Sequence, residues 1–256
     1  MEKKTEKVKT IGILGGMGPE ATLYLFHLII KNTPAERDQD HIPVVIYSNP
    51  KIPDRTESIL QGNHERIIEE LQSSAKLLEN AGVDFIVIPC NTVHYYLDEI
   101  QRGINIPILD MIEITTQYLM QQEDEKNNSK TGLLATTGTI ISGIYQKRFQ
   151  SRDLELITPN KQVQKEVMEI IYGIKKYGPT DSYRKRIIDI INHLRSREKV
   201  NWIILGCTEL PLLFQTNDIQ NSLFNILIDP MVILSKHVVQ KAKLEDKTSS
   251  GLEQVD

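Results

Sequence analysis

The sequence predicts an α/β fold made of two similar halves, and three observations carry that expectation. Short apolar runs rich in Ile and Val alternate with longer stretches of helical periodicity, the pattern of parallel strands covered by helices on both faces. Segments of the first half recur in the second, in the same order and at nearly constant spacing. The composition, with 40% hydrophobic and 25% charged residues in 256, is that of an ordinary globular protein.

The expected strands are Thr10–Leu14, Val44–Ser48, Phe85–Pro89, Ile106–Asp110, Gly132–Ala135, Leu154–Thr158, Trp202–Leu205 and Ile226–Asp229. Between them lie helices such as Asn63–Asn80, where Ile67, Leu71, Ala75 and Leu78 keep a 3.6-residue period and Gly82 supplies a stop. The repeat appears when the halves are aligned. Thr10-Ile-Gly-Ile-Leu-Gly-Gly-Met-Gly18 matches Thr131-Gly-Leu-Leu-Ala-Thr-Thr-Gly-Thr139, and the run ending in Cys90 matches the run ending in Cys207. Asp110 matches Asp229, so the three pairs are offset by 121, 117 and 119 positions. An internal duplication explains such regularity. The expected units are residues 8–115 with 229–243, and residues 116–228, with 1–7 and 244–256 disordered.

The same numbers exclude several classes of function. The net charge of −4 and scattered Lys and Arg give no footprint for nucleic acid. No apolar run approaches the roughly 20 residues that cross a bilayer, and no apolar region follows the charged start MEKKTEKVKT. A cytoplasmic protein without membrane contact is expected. Two cysteines make neither a disulfide scaffold nor a zinc site. They leave buried bystanders, a redox pair, or catalysis.

Position favours catalysis. Each cysteine follows a buried strand and precedes a helix, at the sheet edge where α/β folds hold their ligands. Facing halves would bring Cys90 and Cys207 to opposite walls of one cleft. Inverting a stereocentre needs a base on one face of a carbon and an acid on the other. A thiol serves in either role, since its reference pKa of about 8.5 lies near working pH. A helix N-terminus behind each cysteine would further favour the thiolate. Opposed thiols that oxidise together remain the alternative.

Other loops reach the same edge. Gly15-Gly-Met-Gly-Pro-Glu20 departs from the dinucleotide spacing and reads as a tight turn near a small carboxylate. Asn49-Pro-Lys-Ile-Pro-Asp-Arg55 ends in a guanidinium that either grips a carboxylate or pairs with Asp54. His94 reads as a helix-face histidine with a local hydrogen bond, able to tune Cys90. The lysines of Tyr172-Gly-Ile-Lys-Lys176 are solvated by default.

At Ile13-Leu-Gly-Gly-Met-Gly-Pro-Glu-Ala-Thr22, Asn49–Arg55, Pro89-Cys-Asn-Thr-Val-His94, Ala135-Thr-Thr-Gly-Thr139 and Gly206-Cys-Thr-Glu-Leu210, the sequence resembles the aspartate racemase branch of the aspartate/glutamate racemase superfamily. The resemblance runs from about Lys9 to about Lys243. It implies two α/β domains with the active site between them, no pyridoxal phosphate or metal, and a homodimer. It places Cys90 and Cys207 on the catalytic positions and Arg55 on the arginine that binds the side-chain carboxylate of aspartate. A second-domain lysine shares that task; the pattern Ile-Tyr-x-x-x-Lys matches Lys176, with Lys175 one residue out of register. Asn91, Thr92 and Thr208 fall on positions that contact the α-carboxylate or α-amino group. Met17, Asn49, Thr137, Thr139 and Glu209, within the same motifs, complete the expected substrate-binding set. Relatives of broad specificity replace the first cysteine by threonine and change the arginine loop, so the resemblance implies aspartate. Glutamate is the nearest alternative, since one methylene is worth only about 1–3 kcal/mol of discrimination. A cleft that binds acidic amino acids without turnover is the alternative outside catalysis.

Overall fold

The protein is described by a computed structural model over residues 8–123, 130–214, 223 and 225–243. The termini expected to be disordered lie outside the described residues.

In the first half, β1 (Ile11–Gly15) is the centre of a parallel sheet, with β2 (Val44–Ser48) on one side and β3 (Phe85–Val87) on the other. Ile11 pairs with Val44 and with Phe85, and β1 is buried at every position. In the second half, β4 (Lys130–Ala135) takes the central place, between β5 (Glu155–Ile157) and β6 (Trp202–Gly206), with β7 (Leu227–Ile228) beyond β6. The two sheets repeat one strand order.

The expected strand Ile106–Asp110 shrinks to a single parallel bridge between Ile86 and Ile108. Pro107 has no N–H to give, and Asp110 turns its carboxylate onto the backbone N–H groups of Ile112 and Glu113. That cap starts a helix and ends the strand. Asp229 does the same to Met231 after β7, which is only two residues long.

Helices α1 (Pro19–Asn32), α2 (Arg55–Gln61), α3 (Glu65–Asn80), α4 (Leu97–Arg102) and α5 (Met111–Glu123) belong to the first stretch of chain. Helices α6 (Thr137–Ser142), α7 (Ile144–Gln150), α8 (Lys161–Tyr177), α9 (Asp181–His193) and α10 (Pro230–Lys243) follow. Helix α3 buries Ile67, Leu71, Ala75 and Leu78, as its period requires. It begins two residues later than expected because Gly62 at φ +67° ends α2 first. None of the described helices is long and apolar enough to cross a membrane.

Each long run ends by docking its last helix on a helix of the other half, α10 on α1 and α5 on α7. Met231, Leu234 and Val238 of α10 share a core with Ile11 and Leu25. Ile112 and Leu119 of α5 share one with Tyr145, Phe149 and Ile204. Burying one such Ile or Leu contributes roughly 1.5–3 kcal/mol, so the exchange locks the halves around their facing sheet edges.

Candidate active site

A closed cleft at those edges is lined by Met17, Arg55, Cys90, Asn91, Cys207 and Glu209, among others. Its cavity is about 10 Å³, room for about one water molecule. An amino acid enters only if the halves part.

Both thiols are free and buried. Cys90 leaves β3 in a loop held from behind by His94, whose Nδ1–H donates to the Cys90 carbonyl at 2.8 Å. His94 Nε2 accepts from the Met111 N–H at 3.1 Å, so both ring nitrogens are committed and the ring is neutral. Burial pushes its pKa down. The expected local hydrogen bond is there, and it ties the Cys90 loop to the head of α5.

Behind each cysteine stands one 3₁₀ turn, Thr92–Tyr96 or Leu210–Phe214, where an α-helix start was expected. A single tight turn sums fewer peptide dipoles, and the local field at Cys207 is set by side chains instead. Its thiol donates to Glu209 Oε2 at 2.9 Å. Burial first, and the Glu209 charge second, raise its pKa well above the usual thiol value, while Lys175 pulls the other way. Glu209 is buried, and its Oε1 lies 3.7 Å from Lys175 Nζ. For Lys175, burial opposes the charge, but Glu209 and the thiols outweigh it and raise the pKa.

The first glycine turn is a tight turn for a packing reason. Gly16 sits at φ +94°, and a Cβ there would lie 2.4–2.5 Å from the Asn49 backbone. Thr22 Oγ1 accepts from the Gly16 N–H at 2.9 Å. Arg55 does not pair with Asp54, whose Oδ1 caps α2 at the Glu57 N–H. Its Nη1 donates to the Ile52 and Pro53 carbonyls and its Nη2 to the Met17 carbonyl. Of five guanidinium N–H donors, two have no partner among the described residues, enough for one carboxylate.

Asn91 is 2% exposed. Its Oδ1 accepts from the Tyr145 hydroxyl at 2.7 Å, while its Nδ2 is buried with no partner among the described residues. An orphaned donor on the wall of a cleft is a ready contact for a ligand oxygen. Thr92 joins Thr136 and Thr139 in a hydroxyl triangle at 2.9–3.0 Å that fastens the halves together. Gly138 closes the same seam: a Cβ there would meet the Thr56 Cα at 2.8 Å.

Of the residues expected at the site, Met17, Arg55, Cys90, Asn91, Thr92, Cys207, Thr208 and Glu209 line the cleft. Asn49, Thr137, Thr139 and Lys176 do not. Asn49 donates to Ser74 and Glu70 and holds the loop that the glycine turn packs against. Thr137 is tied to Met168 and Gln164, and Thr139 sits behind Thr92. Lys176 lies over the Tyr177 ring at 4.8 Å. The lysine on the cleft is Lys175, one turn after Ile171, which also lines it; Lys176 stands about 100° further round the helix and leans over Tyr177 instead. Tyr172, Asp54, Thr56 and Thr136 complete the lining. Asp54 is followed three residues later by Glu57, the sequence mark of a helix start, and that mark could have placed it.

A family model described as Asp/Glu/Hydantoin racemase matches residues 14–238. The chain belongs to that family. The aspartate racemase of Picrophilus torridus has a similar structure, with a TM-score of 0.78 and 32% identity over 91% of this chain and 94% of that one. An aspartate racemase homologue from Pyrococcus horikoshii OT3 matches at TM-score 0.73 and 28% identity, over 92% and 100%. The broad specificity amino-acid racemase RacX of Bacillus subtilis (strain 168) is 31% identical over 204 residues, 78% of this chain and 85% of that protein. The two parallel sheets flanked by helices are the fold that the chain shares with these two solved structures.

Proposed function

We propose that this family member is a cofactor-independent aspartate racemase, with Cys90 and Cys207 as its two acid–base groups. The observation that carries the reading is that two buried thiols, one from each half, line one cleft together with the free donors of Arg55 and the ammonium of Lys175. One thiolate removes the Cα proton from one face while the opposite thiol delivers a proton to the other. Arg55 and Lys175, rather than Lys176, hold the side-chain carboxylate. The Asn91 amide and the Thr208 loop hold the α-carboxylate, which takes up charge as the carbanion forms. The cleft lies between residues 8–115 with 229–243 and residues 116–228, a division supported by the return of α10 onto α1. The homodimer implied by the sequence resemblance belongs to the same reading.

When Cys207 must act as the base, Glu209 is the group within reach of its proton. Transfer leaves a thiolate and a neutral carboxylic acid, and Lys175 stays as the counter-charge.

The similarity to RacX supports a second reading, a racemase of wider substrate range. Purified protein in D₂O with L-aspartate, L-glutamate and neutral L-amino acids separates the two. Cα deuteration and racemisation of aspartate alone support the first reading; comparable rates across the panel support the second. Undiminished turnover in Cys90→Ala or Cys207→Ala would sink the two-thiol scheme.

A further inference from the structure

The duplication builds one charged arrangement twice and completes it once. At the repeat spacing, Tyr24, His27 and Lys31 on α1 correspond to Tyr145, Arg148 and Arg152 on α7 and the turn after it. Asp229 at the head of α10 corresponds to Asp110 at the head of α5, and both cap their helices. In the second copy the cations are neutralised. Arg148 pairs with Asp110 and lies 3.6 Å from Glu113, and Arg152 pairs with Glu113.

In the first copy the position of Glu113 is taken by Val232, and Asp229 Oδ2 accepts from the Tyr24 hydroxyl at 3.0 Å. Lys31 and His27 have no carboxylate partner among the described residues. They overlook a groove of about 720 Å³, and Lys236 and His237 of α10 face it as well. Asp229 is the one carboxylate among its described lining residues, and the Tyr24 hydroxyl and the Met231 N–H occupy its oxygens. Leu28, Phe214, Val232 and Ile233 give the groove apolar walls. Its volume falls in the range of small-molecule sites, about 300–1,000 Å³.

We propose that this groove binds a small organic anion with two or more negative charges, a phosphate ester on an apolar body, independently of the cleft that holds the cysteines. Lysine ammonium groups without a carboxylate partner among the described residues supply point charges for phosphate oxygens, and the apolar walls take the rest of the molecule. Among the described residues none of the cleft lines the groove, so binding here does not depend on the racemase reading.

Calorimetric titration with inorganic pyrophosphate and with adenosine monophosphate, at ionic strength matched with KCl, tests this. The expected result is one saturable site per chain for both probes. Lys31→Glu and Lys236→Glu should each weaken it at least tenfold, and Arg55→Ala should leave it unchanged. Both lysines are exposed, so the variants keep the fold, which circular dichroism verifies. Absence of saturable heat overturns the proposal. So does binding that survives both lysine changes or disappears with Arg55→Ala, which would put the anion in the cleft. A drop in sedimentation coefficient for Lys31→Glu without anion would make the groove a contact between copies, and overturn it too.

Discussion

The Cys207 thiol points its proton at Glu209 Oε2 across 2.9 Å, and among the described residues no carboxylate does the same for Cys90. The duplicated halves are therefore chemically unequal at their matched cysteines. The Glu209 charge helps to hold the Cys207 proton in place, while Lys175 loosens it. Removing the first charge lowers the thiol pKa and removing the second raises it. In a Cys90→Ala background, thiolate absorbance near 240 nm should titrate at lower pH for Glu209→Gln and at higher pH for Lys175→Ala. Identical titrations in both variants would refute the coupling. Because the two enantiomers have equal free energy, kcat/KM must fall by one factor in both directions. That factor should be on the order of 10²–10⁴ for Glu209→Gln, as for other acid–base groups.

The two adjacent lysines make a sharper test of the substrate end. Lys175→Ala removes the ammonium beside Glu209 and should raise KM for aspartate by about 10- to 100-fold, the value of one charge-assisted contact. Lys176→Ala removes only a contact with the exposed Tyr177 and should change KM less than twofold. The reverse ranking would restore Lys176 to the role its sequence register suggested.

That pair of lysines marks the limit of what the chain alone reveals. The duplication, the α/β class and both cysteine loops are periodic or repeated, so they are legible along the chain. Placing Lys175 requires the rotation of α8 about its axis, to within 100°, and one motif register does not fix it. The side chains of Asn49, Thr137 and Thr139 are hard to place from the sequence for a related reason. Each stands in a loop that reaches the cleft, yet each side chain turns back to fasten that loop, to Ser74, to Gln164, or to Thr92. A motif marks the loop, and only packing decides which of its side chains face the ligand. The shrunken strand at Ile108 was readable in hindsight from Pro107 and the capping Asp110.

Gly138 sets how closely the halves meet. A methyl group there would lie 2.8 Å from the Thr56 Cα and from its Oγ1, and 3.1 Å from Thr92 Cγ2; backbone cannot swing aside as a side chain can. Gly138→Ala should cost about 1–3 kcal/mol, the range for overpacking a filled site. It should also hold the cleft ajar, so kcat should fall while the thiols become faster to alkylate with iodoacetamide. Unfolding midpoint and alkylation rate measured together decide it: a loss of stability with unchanged alkylation would mean that the strain is absorbed away from the seam.

His94 links the Cys90 loop to α5 through two hydrogen bonds that need a neutral ring. Its pKa in the folded protein is depressed, by burial first and by Arg148 among the smaller influences, against Asp110 and the Cys90 carbonyl. In the unfolded chain it titrates near 6.5. Below that pH the unfolded chain takes up a proton that the folded one refuses, so stability falls as pH falls. His94→Gln removes this group from the balance and leaves the Met111 N–H and the Cys90 carbonyl less well satisfied. It should lower stability by roughly 1–3 kcal/mol at pH 7.5 and flatten the loss between pH 7.5 and 5.5. Asp229 works in the opposite sense, since its raised pKa of about 6 makes the folded state hold the extra proton between about 4 and 6. That contribution is common to both proteins and cancels in their difference. Urea midpoints of the two proteins at the two pH values give the comparison, and equal losses in both would show that the folded ring titrates as it does in the unfolded chain, which would overturn the depressed pKa.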